Sequence, residues 1–431
     1  MYWMPFGSHH SQSAKRNAML IITAKVLISL VCTLALAGLL RYQTAVCEWL
    51  GSKSLRLALA VGWLLLRLCP FLLVFVILDF TPSSDLDGFF GQASQAAAGK
   101  WVYRDFSCMY SPLFPYLNAL ALKFWFDRKA IVLLMIFMEA LALYSTIYFY
   151  KTSFSKAELL FRALVYLLLP GTLVLCVLGG QEDVWMWLIA VLAYLAWQRT
   201  GRVAWFGVVL ALGFLLTKAV FILFCPVLFF LVPQPQKWLL SLAGIGLVAL
   251  LIVYHYTGLA FLNQPLNEAN TLRAPNWASV LNPWVFDKIG VGTKFWNWLG
   301  LLVTAGSGVF VAYRVRAMPF ERAFSAVWVV VYGTMMVAQQ SAYSNYIFIF
   351  LLPLTFIWID FKSPKEVAIF LLFNAFCVVQ PSLWWRLRSP IYRSPAAIFT
   401  DFAHTADYVL QVGIVAGTIY FVALVYKKAT A

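Results

Sequence analysis

The stretch LALAVGWLLLRLCPFLLVFVILDF, residues 57–80, decides the class of fold, because only Arg67 and Asp79 interrupt its apolar side chains. An apolar run of about 20 residues is long enough to cross a hydrocarbon core roughly 30 Å thick as a helix. Similar runs recur along a chain of 431 residues that is 63% hydrophobic, with a mean hydropathy of +0.82. Strands of a membrane barrel would instead alternate apolar and polar residues. The sequence therefore predicts an all-α, polytopic membrane helix bundle.

The apolar runs predict about 12 to 13 transmembrane helices in a single transmembrane domain that covers residues 1–431. Within it, residues 1–56 hold an additional N-terminal helix, residues 57–232 a module with the first long loop, and residues 233–431 further, variable helices. The stretch 111–126 is short and holds two prolines, so we interpret it as an interfacial or re-entrant helix. The predicted spans lie near residues 18–39, 57–79, 130–149, 157–177, 183–197, 203–217, 219–232, 237–257, 294–313, 323–341, 346–360, 367–380 and 409–426.

The net charge of +15 fits a membrane protein whose Lys and Arg residues collect in the short loops of one side. No Lys/Arg block or RNA-binding motif is present, so we predict no nucleic-acid partner. The positive-inside rule then places the three long loops, 80–129, 258–293 and 381–408, outside the cytoplasm. We interpret the chain as a multi-pass protein of a bacterial inner (plasma) membrane. Its seven cysteines lack CxxC spacing and its four histidines are scattered, so we predict no disulfide frame and no metal site.

The first long outer loop carries the densest group of candidate site residues. Ionisable groups beside a membrane are costly to place there, and they are functional candidates for that reason. The pattern from Phe89 to Lys100 predicts a short helix on the membrane surface, closed by a glycine. The candidates in this loop are Asp85, Asp87, Arg104, Asp105 and Tyr110.

Further candidates lie on other predicted outer segments. The acids after the Gly179-Gly180 pair could form a site, or they could form a polar turn with an acidic helix N-cap. Arg273 could pair with a phosphate, or it could lie in a solvated loop. The density of acids on one predicted side favours a site shared between the first loop and this second turn. These candidates are Gln181, Glu182, Asp183, Lys218, Arg273, Tyr343, Asn345, Arg386 and Arg388.

Two segments together resemble the GT-C superfamily of membrane glycosyltransferases. The segments SDLDGFF and GKWVYRDFSCMYSPLFPYL resemble its first external loop, where an acid and an aromatic follow a transmembrane helix. The DxD form is also similar to the first GPI mannosyltransferase, and LCVLGGQEDVWMW resembles the GQxD turn of bacterial polyprenol-phosphate-mannose-dependent enzymes. Such families commonly start with the helix that leads into that loop, whereas this chain has an additional helix before it. The residues that match the pattern are Asp85 with Phe89, Gly99 with Tyr103, and Tyr110-Ser111-Pro112-Leu113.

The resemblance implies a polyprenyl-phosphate sugar donor, such as mannose, glucose or arabinose, and a lipid- or glycan-linked acceptor outside the cytoplasm. It also implies inversion at the anomeric carbon. The chemistry needs a general base for the acceptor hydroxyl, and Asp85 is our choice, with Asp87 as its competitor. Because the leaving group is a phosphate, cations must stabilise the developing negative charge. We expect no metal and no cofactor, and we expect membrane lipids around the chain.

Two other functions remain open. A transporter or flippase of a lipid-linked sugar would need polar residues along a path at the bilayer midplane, where only Arg67 and Glu139 are candidates. Opposite charges in neighbouring spans can also simply pair. A non-catalytic subunit or another membrane transferase is the third possibility. The enzyme hypothesis requires that the two acidic outer turns lie within about 15 Å, close enough to share one site.

Overall fold

The computed structural model describes residues 11–268, 271–285 and 294–431, and within these ranges the chain consists of helices and the turns between them. The predicted all-α class is confirmed. The first ten residues of the predicted N-terminal segment lie outside the described residues, as do 269–270 and 286–293 in the predicted loop 258–293.

The main helices follow one another along the whole described chain. In chain order they are α1 (Ser11–Arg41), α2 (Gln43–Ser52), α3 (Leu55–Ile77), α4 (Asp85–Ala97), α5 (Phe114–Phe124), α6 (Arg128–Phe149), α7 (Lys156–Leu168), α8 (Pro170–Leu178), α9 (Val184–Thr200), α10 (Ala204–Leu216), α11 (Ala219–Leu231), α12 (Pro235–Thr257), α13 (Asn263–Glu268), α14 (Trp277–Val285), α15 (Lys294–Val315), α16 (Phe320–Ala338), α17 (Ser344–Trp358), α18 (Pro364–Arg386), α19 (Pro395–Ile398) and α20 (Phe402–Thr430).

Among the described residues, eight helices are long and apolar enough to cross a membrane: α1, α3, α6, α12, α15, α16, α18 and α20. The pair α7 and α8 is bent by 58° and makes a ninth if it forms one span. The chain is thus a multi-pass membrane protein, as predicted. The number of full-length helices is below the about 12 to 13 spans expected, because α10, α11 and α17 are apolar but shorter than the roughly 20 residues of a full crossing.

The first long loop is helical where the sequence predicts it, over α4 and α5. Helix α4 begins at Asp85, earlier than the predicted Phe89, because acids in a first turn stabilise the N-terminus of a helix. It ends at Ala97, and Gly99 follows with a φ of +78°, which lets the chain turn away. The loop therefore presents Asp85 at a helix start next to the end of α3.

Loops that the topology prediction assigns to one side lie at one end of the bundle. At one end, Gln181 Nε2 donates to Asp85 Oδ2 at 2.8 Å, which joins the α8–α9 turn to the first long loop. At the opposite end, Lys156 Nζ donates to the carbonyl oxygen of Lys53 at 3.0 Å. We call the first of these the site end.

A fully buried guanidinium group, that of Arg67 on α3, ties four helices together. Its N–H groups make five hydrogen bonds: to both oxygens of Glu139 (2.6 and 3.0 Å), to the carbonyl oxygens of Leu66 and Leu167, and to Thr172 Oγ1. A buried charge needs such pairing, since moving it out of water otherwise costs several kcal/mol. The predicted pairing of Arg67 with Glu139 is confirmed, and it links α3 to α6, α7 and α8.

Two prolines leave carbonyl oxygens near the Arg67 guanidinium group without the N–H donor that a regular helix would supply. Pro70 has no N–H for the carbonyl oxygen of Leu66, its helical i−4 partner, and Pro170 has none for Tyr166. The guanidinium group donates to Leu66 at 2.9 Å, and the Thr172 hydroxyl donates to Tyr166 at 2.7 Å. An unpaired carbonyl in a lipid-like interior costs several kcal/mol. The Leu66 oxygen thus has a donor where α3 continues past Pro70. The Tyr166 oxygen, which also accepts from the Leu169 N–H at 3.2 Å, has a second donor at the break between α7 and α8.

We predict that Glu139→Gln lowers the free energy of unfolding by about 3 kcal/mol or more, because it leaves the Arg67 charge buried without its counter-ion. The matched control is Asp79→Asn, which removes a surface ion pair of 2.6 Å with Lys129 in which the Asp79 side chain is 82% exposed. That change should cost no more than about 1 kcal/mol. Unfolding in detergent micelles would measure both variants, and equal effects would contradict the assigned role of Arg67.

Candidate functional site

Helix α4 places Asp85 at the site end by burying its opposite face. Asp85 itself is exposed at the first position of the helix. Phe89, one turn later, packs edge-on against Tyr110 and Phe114, with ring centroids 5.1 Å away in both cases. The buried residues of α4 recur every three or four positions and are Leu86, Phe89, Ala93 and Ala96. This apolar face fixes the orientation of the helix and thereby the position of the carboxylate.

Asp85, Gln181 and Asn345 form a hydrogen-bonded series that we call the amide chain. Asp85 Oδ2 accepts from Gln181 Nε2 at 2.8 Å, and Gln181 Oε1 accepts from Asn345 Nδ2 at 2.7 Å. Asp85 Oδ1 accepts no hydrogen bond from any described residue, so one carboxylate oxygen is held and the other is open. Three segments far apart in sequence therefore meet at one carboxylate.

Lys218, Glu182 and Asp183 form a second group next to the amide chain, which we call the lysine cluster. Lys218 Nζ lies 2.6 Å from Asp183 Oδ1 and 2.8 Å from Glu182 Oε1. The rings of Tyr110 and Tyr346 flank the ammonium group, with centroids 5.5 and 5.1 Å away. Both carboxylates are buried, so the cluster brings one cation and two acids out of water together.

The electrostatics of the lysine cluster favour a protonated ammonium group. Burial alone lowers the pKa of Lys218, but the carboxylates of Asp183 and Glu182 outweigh this and raise its pKa well above the usual range. Burial raises the pKa of Glu182, and the neighbouring Asp183 raises it further. The positive charge of Lys218 lowers this pKa but does not outweigh the burial. The Glu182 carboxyl is thus the group of the cluster most ready to take up a proton.

Several buried acceptor atoms of the site have no partner among the described residues. They are Glu182 Oε2, Asp183 Oδ2 and Asn345 Oδ1. A buried acceptor left unpaired costs about 1–3 kcal/mol, so donors from water or a ligand would be favoured there. Asp183 lies at the N-cap position of α9, as the alternative interpretation expects, but its side chain makes no capping hydrogen bond. Because these atoms are themselves buried, a donor would have to enter the site to reach them.

Gly180 allows the second outer turn to pack against the first loop. Its φ is +58°, in the left-handed region that favours glycine. A Cβ atom at this position would lie 2.6 Å from Leu86 Cδ2, which is closer than such atoms approach. The next residue is Gln181, so this close contact brings its amide within reach of Asp85.

The structure separates the two acids of the first loop. Asp87 lies on the exposed side of α4, with Oδ1 2.9 Å from Arg128 Nη1, and its side chain is 47% exposed. Asp85 instead joins the amide chain. The two carboxylates therefore differ in partners although they are only two positions apart in the sequence.

Other predicted residues lie on the surface of the described chain. Arg104 pairs with Asp105 at 2.8 Å, and the Arg104 side chain is 47% exposed. Arg386 ends α18 and is exposed, and so is Arg388, which follows it.

Arg273 lies at the rim of the site beside Tyr343. Its guanidinium carbon is 4.6 Å from the Tyr343 ring centroid, and its Nη2 lies 2.9 Å from Glu268 Oε1. The backbone N–H of Arg273 donates to the carbonyl oxygen of Gln340 at 2.8 Å. The segment before α14 is thus fastened to the segment before α17, which carries Tyr343 and leads to Asn345.

An apolar cleft of about 450 Å³ lies next to the lysine cluster. Two backbone hydrogen bonds connect them, from Ser111 N–H to Thr217 O at 3.0 Å and from Leu113 N–H to Leu215 O at 2.8 Å. One wall is α12, of which only 6% is buried inside the bundle. The cleft is lined by Trp101, Val102, Tyr116, Leu215, Val253 and Tyr256, among others. The cleft therefore lies between the segment that follows α4 and the largely unburied α12, and its lining comes within three positions of Lys218 at Leu215.

Sequence reasoning missed two contributors to the site end. Tyr346 flanks the Lys218 ammonium group, and Asp407 is fully buried on α20. Asp407 had a usable signal, because an acid beside a predicted span is a functional candidate by default. Tyr346 had only the general signal of the Asn/Gln/Tyr-rich stretch 339–346, which also holds Tyr343 and Asn345, and only the fold selects it.

The chain matches no protein-family model, and it matches no curated protein. Among the described residues, no group of three or more His, Cys, Asp or Glu side chains could hold a metal ion. The resemblance to the GT-C superfamily and the expected metal independence therefore stay predictions.

We predict that Gly180→Ala disrupts the site, because it adds backbone strain of about 1–3 kcal/mol and a contact with Leu86. The protein should melt at a lower temperature. The matched control is Gly91→Ala in α4, where a Cβ meets nothing within 4 Å, so that change should be neutral or stabilise by up to about 1 kcal/mol. Equal melting temperatures for both variants would contradict the close packing of the two turns.

Proposed function

We propose that this chain is a membrane glycosyltransferase that moves a sugar from a polyprenyl-phosphate donor to a lipid- or glycan-linked acceptor on the extracytoplasmic face. The sugar would be mannose or another hexose or pentose. The observation that supports this most is the hydrogen bond between the second outer turn and the first outer loop, from Gln181 Nε2 to Asp85 Oδ2 at 2.8 Å. It meets the requirement that both acidic turns belong to one site. Function is argued from that site and from the resemblance, not from the fold.

In the proposed reaction Asp85 is the general base. Its open Oδ1 takes the proton of the acceptor hydroxyl as that oxygen attacks the anomeric carbon. The bond from the anomeric carbon to the phosphate oxygen breaks, and polyprenyl phosphate leaves with the electron pair. A single displacement of this kind inverts the anomeric centre, as in inverting glycosidases. The hydrogen bond from Gln181 to Oδ2 holds the carboxylate in place without occupying the reactive oxygen.

Lys218 and Arg273 would stabilise the phosphate as it leaves. Both are cations at or beside the site, and developing negative charge is stabilised by fixed positive groups. Lys218 is already paired with two carboxylates and Arg273 with one, so the phosphate would replace existing ion pairs. Uptake of a proton by Glu182, whose pKa is raised by burial, would ease that exchange.

The apolar cleft supports a lipid-linked donor. Leu215, which lines it, is three positions before Lys218, and at α12 Trp101 stacks on Tyr256 with ring centroids 4.1 Å apart. An isoprenoid chain could lie in it while the phosphate faces Lys218. The unpaired acceptor atoms of the site suit sugar hydroxyls in the same way.

The transporter alternative receives less support. Such a protein would need polar groups along a path through the bundle. Arg67 and Glu139 are the candidates for it, and they are bonded to each other and fully buried. We therefore give them a structural role.

We predict that Asp85→Asn lowers the rate of sugar transfer by about 10²-fold or more, since it removes the general base. Asp87→Asn is the matched control, because it changes a neighbouring exposed acid and should stay within about threefold of wild type. The assay uses purified protein in nanodiscs with a panel of polyprenyl-phosphate sugars and membrane-lipid acceptors.

Full activity of Asp85→Asn would remove its assignment as base, and a loss confined to Asp87→Asn would transfer the role. Wild-type protein that transfers sugar from no donor of the panel would contradict the proposed function itself.

A further inference from the structure

Asp407 on α20 is a buried acid held by neutral donors. It is fully buried, and among the described residues no Lys or Arg forms an ion pair with it. Three donors face its carboxylate: Gln380 Nε2 at 3.2 Å, Tyr392 OH at 2.9 Å and Gln411 Nε2 at 2.7 Å. Burying a carboxyl group is costly even when it is hydrogen-bonded, so its presence beside the site calls for a role.

The carboxylate of Asp407 sets a direction of hydrogen bonding that leads to the site. An ionised carboxylate only accepts, so it fixes which end of the Gln380 amide faces it. The Gln380 NH₂ donates to Asp407, and its Oε1 accepts from Ser344 Oγ at 3.3 Å. The next residue, Asn345, donates to Gln181 at 2.7 Å. Two oriented series of side chains thus meet at adjacent residues in the first turn of α17.

The same carboxylate also fastens the loop between α18 and α20. Tyr392 in that loop donates to Asp407, and its carbonyl oxygen accepts from Asn282 on α14. The first turn of α17 is therefore connected through Gln380 to α18, α20 and the loop between them.

We propose that Asp407 is a positioning residue for the amide chain, an inference that rests on the proposed function. Through Gln380 it holds Ser344, and so the first turn of α17, in the orientation that directs the Asn345 amide at Gln181. Gln181 in turn holds the Asp85 carboxylate. Asp407 touches no reacting atom in this scheme.

The test begins with Asp407→Asn. The new side chain can donate as well as accept, so it no longer fixes which end of the Gln380 amide faces it, and Gln380 can turn its NH₂ group toward Ser344 in place of the oxygen that accepts from it. We expect kcat to fall about tenfold or more, with KM changed by less than about twofold, because small displacements of a base act on turnover more than on binding. Amide hydrogen exchange of residues 339–346 should become faster.

The double variant Asp407→Asn/Gln380→Glu should restore both kcat and the slow amide hydrogen exchange of residues 339–346. It moves the carboxylate to position 380, where it accepts from the amide at 407 and still accepts from Ser344. The matched control is Gln411→Leu, which removes another hydrogen bond of Asp407 but leaves the series to Ser344 intact. It should lower the melting temperature with kcat and exchange of 339–346 near wild type.

Unchanged exchange of residues 339–346 in Asp407→Asn would overturn the proposal, whatever the activity. A double variant whose hydrogen exchange and kcat stay at the values of Asp407→Asn would overturn the proposal as well. If exchange changes and recovers as expected but wild-type protein transfers no sugar, the proposed function fails while the anchoring by Asp407 stands. The two failures are therefore distinguishable.

Discussion

Complete hydrogen bonding of one buried guanidinium group is the constraint on which the rest of the structure depends. Arg67 lies on α3, which leads into the loop of Asp85, and it bonds to groups on both sides of the break between α7 and α8. Helix α8 in turn leads to Gln181. The relative position of these helices fixes the separation of the two outer turns, so a pair deep in the bundle determines whether a carboxylate and an amide can meet at its end.

The site end is ordered by the one-way hydrogen bonding of its acids. Asp85 and Asp407 can only accept while they are ionised, so each orients the amide that donates to it. The two series end at neighbouring residues, Ser344 and Asn345. A polar network in a dry setting is costly when it is half satisfied and rigid when it is complete. The acceptor atoms left over, on Asn345 and on the acids of the lysine cluster, are those that a ligand would complete.

Periodicity and charge predicted much of the fold. Long apolar runs become long helices, opposite charges in neighbouring spans pair, and the Gly179-Gly180 pair ends a helix before the acids. The number of full crossings was harder to predict, because short apolar runs such as 203–217 counted as spans, and in the structure this run is a helix of 13 residues. Apolar composition alone does not say whether a segment is a whole span or part of one.

The candidate site was predictable as a set of segments but not as a set of contacts. Sequence could place Asp85, Gln181 and Lys218 on one side, since the positive-inside rule acts on whole loops. It favoured Asp85 over Asp87 but could not show that the two have different partners, because this depends on which face of α4 packs on its neighbours. The sequence also could not pair Lys218 with Glu182 and Asp183. These residues are far apart along the chain, and their contact depends on how α9 packs against α10.

The most direct measurement is a double-mutant cycle on kcat/KM for sugar transfer, with Gln181→Met, Asn345→Leu and the two changes together. If both residues act in one hydrogen-bonded series on Asp85, removing the second adds little, and the combined loss should stay within about twofold of the larger single loss. Losses that multiply would show two independent residues and contradict a single shared site.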